Sequence, residues 1–160
     1  MKKAVYAGTF DPITYGHIDV INRATKIFDK IIIGVSARPK KTLFTLDERI
    51  KMIKEVFKNN NRVVVRGFSS LLVEFVESVS AKTIIRGIRA VSDFDYEFQL
   101  ALMNRKLKPQ IETLFLMPSE NYIFVSSSLV KEIASLGGDV SRLVPSVVIK
   151  NLRKKFNIKP

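Results

Sequence analysis

Apolar residues along this chain follow two alternating rhythms. Short continuous runs occur at 3–7, at 30–36 (KIIIGVS), at 62–66 (RVVVR), at 83–86 (TIIR) and at 113–117 (TLFLM). Between them, apolar positions recur every three or four residues. The runs read as strands, the one at 30–36 as a strand buried on both faces, and the spaced stretches as helices with one apolar stripe. Helical spacing covers 18–28 (Ile18, Ile21, Ala24, Ile27, Phe28), 45–57 (Ile50, Ile53, Val56, Phe57) and 71–79 (Leu72, Phe75, Val76, Val79). It returns over 92–106 (Phe94, Phe98, Leu102), over 126–136, and from Pro145 to about Phe156. Thr45 and Glu48 stand at capping-box spacing, and Gly137 with Gly138 closes the helix that three serines open. Strands alternate with helices without a linker, a repeat or a low-complexity segment. The pattern predicts an α/β fold: a doubly wound sheet of five parallel strands, helices on both faces, and a C-terminal helical segment.

In such sheets ligands bind beyond the carboxyl ends of the strands. That rule gathers the polar clusters onto one rim. Thr9 and His17 follow strand one, Lys40 follows strand two, and Ser70 to Leu72 follow strand three. Arg86 and Arg89 follow strand four, and Ser126, Ser127 and Ser128 follow strand five. The turn after strand one holds two glycines, a proline, two threonines and the only histidine of the chain, His17. A strand that turns through glycine into a helix leaves N–H groups free to face an anion. The serines offer hydroxyls, N–H groups and the positive end of a helix dipole, and Lys131, one turn further in, is placed to add charge. Arg86 ends a strand expected to be buried. It can serve phosphate oxygens, or pair internally with Asp93, Asp95 or Glu97.

Composition narrows the partners. The chain has 160 residues, 46% hydrophobic and 26% charged, the proportions of a single soluble domain over 1–160. No apolar run is long enough to span a membrane, and the first residues lack a secretory leader's apolar core. Zero cysteines remove disulfide and thiol chemistry and suit a cytoplasmic protein. With one histidine and no cysteine, a structural zinc site is not expected. The net charge of +12 is compatible with nucleic acid, an acidic membrane or a multiply charged phosphate ligand. The charge by itself selects none of the three; the cations gathered on the rim make a site for several phosphates, and neither nucleic acid nor membrane is expected as a partner.

The chain has no P-loop, no spaced triple-glycine fingerprint and no Ser/His/Asp arrangement. A nucleophile that is already an anion needs no general base, and a phosphate monoester, with a second pKa of about 6, is one. Aligning it with a nucleoside triphosphate requires only cations and hydrogen-bond donors.

Gly8-Thr9-Phe10-Asp11-Pro12 with Thr14-Tyr15-Gly16-His17 resembles the T/HxGH motif of the nucleotidyltransferase superfamily. Ser126, Ser127 and Ser128 with Lys131 resemble its serine-rich second motif. The stretch from Arg86-Gly87-Ile88-Arg89 through Asp93, Asp95 and Glu97 is similar to that of bacterial phosphopantetheine adenylyltransferases. The resemblance implies a Rossmann-like fold and transfer of AMP from ATP to 4′-phosphopantetheine, giving dephospho-coenzyme A and pyrophosphate with Mg2+ held mainly by the ATP phosphates. No protein metal ligand is expected. It further implies that His17 stabilises the transition state, assisted by Thr9, Lys40 and Arg89. The ATP positions are Thr9, Phe10, His17, Gly87, Ile88, Arg89, Glu97, Tyr122, Ile123, Phe124, Val125, Ser126, Ser127 and Ser128. The acceptor positions are Thr9, Lys40, Leu72 and Arg86. A homohexamer and coenzyme A as a further ligand complete the expectation. Ala7 stands where the family commonly has proline. Two rival readings remain: an adenylyltransferase acting on nicotinate mononucleotide, and a non-catalytic basic module binding RNA through exposed aromatic residues, against which the mostly core-facing positions of the phenylalanines speak.

Overall fold

The computed structural model describes residues 1–38 and 41–158. Five strands, β1 (Lys3–Gly8), β2 (Lys30–Ser36), β3 (Val63–Phe68), β4 (Thr83–Gly87) and β5 (Glu112–Leu116), form one sheet in the order β3-β2-β1-β4-β5. Every pairing is parallel. Six helices connect and cover it: α1 (Tyr15–Ala24), α2 (Leu46–Val56), α3 (Leu72–Ser78), α4 (Val91–Leu107), α5 (Ser127–Ser135) and α6 (Ser146–Phe156).

Alternation along the central strands builds the two layers. Ala4 and Tyr6 of β1, Ile31, Ile33 and Val35 of β2, and Ile85 of β4 face a core shared with α1, α2, α5 and α6. Val5, Ala7, Ile32 and Ile84 face the opposite way, onto Val73, Phe75 and Val76 of α3. A strand buried on both faces needs no polar alternation, which is why β2 reads IIIGV. Gly34 belongs to this packing. A Cβ there would stand 2.7 Å from the Phe75 ring, which lies stacked on Phe68 at 4.6 Å between centroids.

The helix ends follow local chemistry. Thr45 caps α2, with Glu48 N donating to Thr45 Oγ1 at 3.3 Å and Thr45 N to Glu48 Oε2 at 2.8 Å, a complete capping box. Gly137, at φ 78°, ends α5 in the left-handed conformation that glycine adopts without strain.

One helix departs from the sequence reading. Phe94, Phe98 and Leu102 of α4 are exposed rather than core-facing, as are Val91, Tyr96 and Met103, and Phe124 is exposed beyond β5. Apolar residues surround α4 on every side, so its pattern selects no single buried face. Phe94 and Phe98 stack on one another at 5.5 Å.

Chain order runs β1, β2, β3 toward one edge, then returns beside β1 as β4. The reversal makes a topological switch point between β1 and β4, where a crevice opens at the carboxyl ends of the strands. Tyr6 pairs with Ile85, so Gly8 and Gly87 end their strands at the same level. No helix among the described residues is long and apolar enough to cross a membrane.

Candidate active site

A cavity of about 300 Å³ lies at this switch point. Its walls include Gly8, Phe10, Thr14, Gly16 and His17 from the β1–α1 turn and the start of α1, Arg86, Gly87 and Arg89 from the end of β4, Asp93 and Glu97 from α4, and Val125, Ser126, Ser127 and Ser128 from the start of α5. Phe10, buried and at φ 50°, holds the turn in a conformation a bulky residue rarely adopts. Its ring meets the His17 imidazole edge-on at 5.0 Å.

His17 is fixed by the helix it helps to start. Thr14 caps α1, and its backbone N–H donates to His17 Nδ1 at 3.0 Å. A backbone N–H can only donate, so Nδ1 is the acceptor and the proton of the neutral ring resides on Nε2. Burial, then the positive charges of Arg89 and Arg86, lower the pKa of His17 to about 4. At neutral pH the ring is therefore an uncharged donor facing the cavity.

The arginines divide the work. Arg86 donates from Nε to Glu97 Oε2 at 2.6 Å and from Nη2 to Glu97 Oε1 at 2.5 Å, while Nη1 donates to Ala7 O at 2.8 Å. The internal pair left open by the sequence exists, and its partner is Glu97. Burial opposes the charge on Arg86, but the forked bond to Glu97 and its negative charge outweigh this and hold the guanidinium pKa above its ordinary value. One N–H remains on each terminal nitrogen for a ligand. Arg89 is looser, with Nε 3.3 Å from Asp93 Oδ2 and Nη1 3.3 Å from Val125 O.

The serine run splits into distinct jobs. Ser126 Oγ caps α5, accepting from Leu129 N at 3.1 Å. Ser127 Oγ donates to Pro12 O at 2.7 Å and ties α5 to the β1–α1 turn. Ser128 forms no side-chain hydrogen bond among the described residues and lines the cavity. The N–H groups of the first turn lie at the same wall, a setting that favours anions.

Other sequence candidates fall elsewhere. Thr9 is half-buried beside the cavity without lining it, and its carbonyl accepts from Arg49 Nη1 at 2.6 Å. Ile88 N donates to Leu116 O at 3.1 Å. Tyr122 sits in a short 3-10 turn, Glu120–Tyr122, with its ring 5.9 Å from that of Tyr15; Ile123 and Phe124 follow it, exposed. Leu72 opens α3 and packs on the second core, because β3 is the sheet edge, two strands from the switch point. Lys40 lies outside the described residues. Tyr6, Val20 and Pro118 line the cavity without having been singled out by sequence. Arg49 was also missed: it is 2% exposed and donates to the carbonyls of Thr9, Ser36 and Phe44. Its signal was a charged residue on the apolar stripe of α2, at helical spacing from Leu46 and Ile53.

A parallel sheet with a cavity of small-ligand size at its switch point, lined by a neutral imidazole, two arginines and a helix tip, defines a nucleotide-handling α/β protein. A family model described as cytidylyltransferase-like matches residues 5–133. Among curated relatives, the phosphopantetheine adenylyltransferase of Hahella chejuensis is 52% identical over 99% of both chains. That of Caldanaerobacter subterraneus subsp. tengcongensis is 53% identical over 98% of each, and that of Methylacidiphilum infernorum 52% identical over 98% of this chain and 92% of its own. The chain belongs to the phosphopantetheine adenylyltransferase family, within the cytidylyltransferase-like proteins. A solved Plasmodium falciparum nicotinic acid mononucleotide adenylyltransferase in complex with NaAD superposes with a TM-score of 0.71, covering 99% of this chain and 97% of its own. At 19% identity that likeness concerns the fold.

Proposed function

We propose that this protein transfers the adenylyl group of ATP to 4′-phosphopantetheine, releasing pyrophosphate and forming dephospho-coenzyme A. The observation that carries the reading is the convergence of His17, Arg86, Arg89 and the α5 tip on one cavity. Membership of the family supplies the substrate class.

In this reading the acceptor phosphate, largely a dianion at neutral pH, attacks the α-phosphorus of ATP directly. A bond forms from its oxygen to the α-phosphorus, the bond from that phosphorus to the bridging oxygen of the pyrophosphate breaks, and the electron pair leaves with pyrophosphate. No proton has to be removed from the nucleophile. The task of the chain is to align the two phosphates and to meet the charge that builds in the transition state. His17 Nε2–H donates to a non-bridging oxygen of the α-phosphate. Arg89, the first-turn N–H groups of α5 and the Ser128 hydroxyl hold the β- and γ-phosphates. Arg86, oriented by Glu97, offers its remaining N–H groups to the acceptor side, where Thr9, Lys40 and Leu72 are assigned by family motif. Gly87, Ile88, Tyr122, Ile123, Phe124 and Val125 are assigned to the nucleotide in the same way.

A magnesium ion carried by the triphosphate belongs to this reading. Bound there, it would neutralise phosphate charge. Assembly as a homohexamer of single-domain chains in the cytoplasm belongs to the same proposal. The exposed Phe94, Phe98 and Leu102 on α4 support it, because a second copy would remove that apolar surface from water.

The test is pyrophosphate release from ATP with 4′-phosphopantetheine or nicotinate mononucleotide as acceptor. Release with the first and not the second is expected. The reverse preference would overturn the reading.

A further inference from the structure

Lys131 stands at the position from which the sequence aims a charge at the cavity, yet its ammonium goes elsewhere. Nζ lies 2.7 Å from Asp11 Oδ2, and Lys131 is not among the cavity-lining residues. Asp11 is 4% exposed, and both of its oxygens are engaged. Oδ1 accepts from Phe44 N at 2.9 Å, and Oδ2 from Leu43 N at 2.9 Å as well as from Lys131. One carboxylate thus joins three segments distant in sequence: the β1–α1 turn, the approach to α2, and α5 one turn behind its tip. The bond from Ser127 Oγ to Pro12 O closes the loop on the cavity side.

We propose that Asp11 and Lys131 form a positioning pair that fixes the rotation and depth of the α5 tip against the β1–α1 turn, and so sets the distance between the triphosphate-binding N–H groups and His17. The proposal rests on the nucleotide-transfer reading above. Neither residue touches substrate in this role. A charge-assisted bond to a buried carboxylate is strong and directional, and a helix tip shifted by a fraction of an ångström no longer meets the developing charge.

Lys131→Met isolates the pair, because it leaves both backbone donors on Asp11. Asp11→Asn perturbs more: an amide has one oxygen for two N–H donors and turns an NH2 toward the other. The measurements are calorimetric affinity for a non-hydrolysable ATP analogue, steady-state constants for both substrates, and thermal midpoint, on wild type, both variants, their combination and Lys131→Arg. Each single variant is expected to weaken the ATP analogue roughly ten- to a hundred-fold, with the KM of the acceptor near wild type. The double variant is no worse than the weaker single, since the two residues act as one unit. Lys131→Arg restores most of the affinity.

Loss of affinity in Lys131→Met with wild-type affinity in Asp11→Asn would mean that Lys131 meets the triphosphate itself, and would overturn the proposal. So would a lowered thermal midpoint with wild-type affinity and kinetics in every variant. A wild-type chain that binds the analogue but does not adenylate phosphopantetheine would defeat the functional reading while leaving the pair testable by affinity. One that binds no analogue would overturn both.

Discussion

The single histidine makes the electrostatics of the site measurable without ambiguity. Its pKa is lowered from 6.5 to about 4, by burial first and then by Arg89 and Arg86. Between those values the unfolded chain binds a proton that the folded chain refuses. Stability therefore falls as pH drops through this window and levels off below it. From pH 7.5 to pH 5 the contribution of His17 amounts to about 2 kcal/mol, from 1.36 kcal/mol per unit and partial protonation at each end. His17→Gln is the matched control, because glutamine at this position can still accept from Thr14 N and keep the cap of α1 while titrating nowhere. Urea denaturation of both proteins at the two pH values gives the difference, in which the carboxylates common to both cancel. Imidazole NMR of the wild type should show one titration near pH 4 and the proton on Nε2 above it. An imidazole pKa near 6.5, or equal pH dependence in the two proteins, would refute the account of a neutral, tautomer-locked ring.

Three further outcomes follow from the packing. Glu97→Gln strips Arg86 of its partner charge at a largely buried position, where the pair is 24% and 11% exposed in its side chains; an unfolding free energy lower by about 2 to 3 kcal/mol is expected from denaturant titration. Arg49→Met removes the buried side-chain donor to the carbonyls of Thr9 and Ser36 and one of two donors to that of Phe44, which keeps Thr42 Oγ1, and should lower stability by roughly 3 kcal/mol in the same titration. Phe98→Glu places a charge on the exposed apolar face of α4. Light scattering should then report a smaller particle than wild type with an unchanged circular dichroism spectrum, whereas an unchanged mass would remove α4 from the assembly surface.

Sequence legibility tracked how local each feature is. β2 was readable because a strand covered on both faces must be apolar throughout, and α2 because Thr45 and Glu48 satisfy each other three residues apart. The convergence of the turn after β1, the end of β4 and the start of α5 was also readable, since parallel topology alone brings strand ends to one edge. Strand order was not, and with it went the distance of Leu72 from the cavity. Side-chain partners were not either. Asp93, Asp95 and Glu97 were equal candidates for Arg86 in the sequence, and only the approach of α4 to β4 gives Glu97 to Arg86 and Asp93 to Arg89. Lys131 was expected at the phosphates for the same reason: its spacing from the serines fixes its turn of helix, whereas Asp11, far away in sequence, fixes where the ammonium goes.

His17→Ala tests the central claim most directly, through turnover and ATP affinity measured on the same preparation. Removing one donor aimed at transition-state charge should reduce kcat on the order of a hundred- to a thousand-fold, with ATP affinity close to wild type. Wild-type turnover in that variant would contradict the role of the imidazole and, with it, the account of how this cavity moves an adenylyl group.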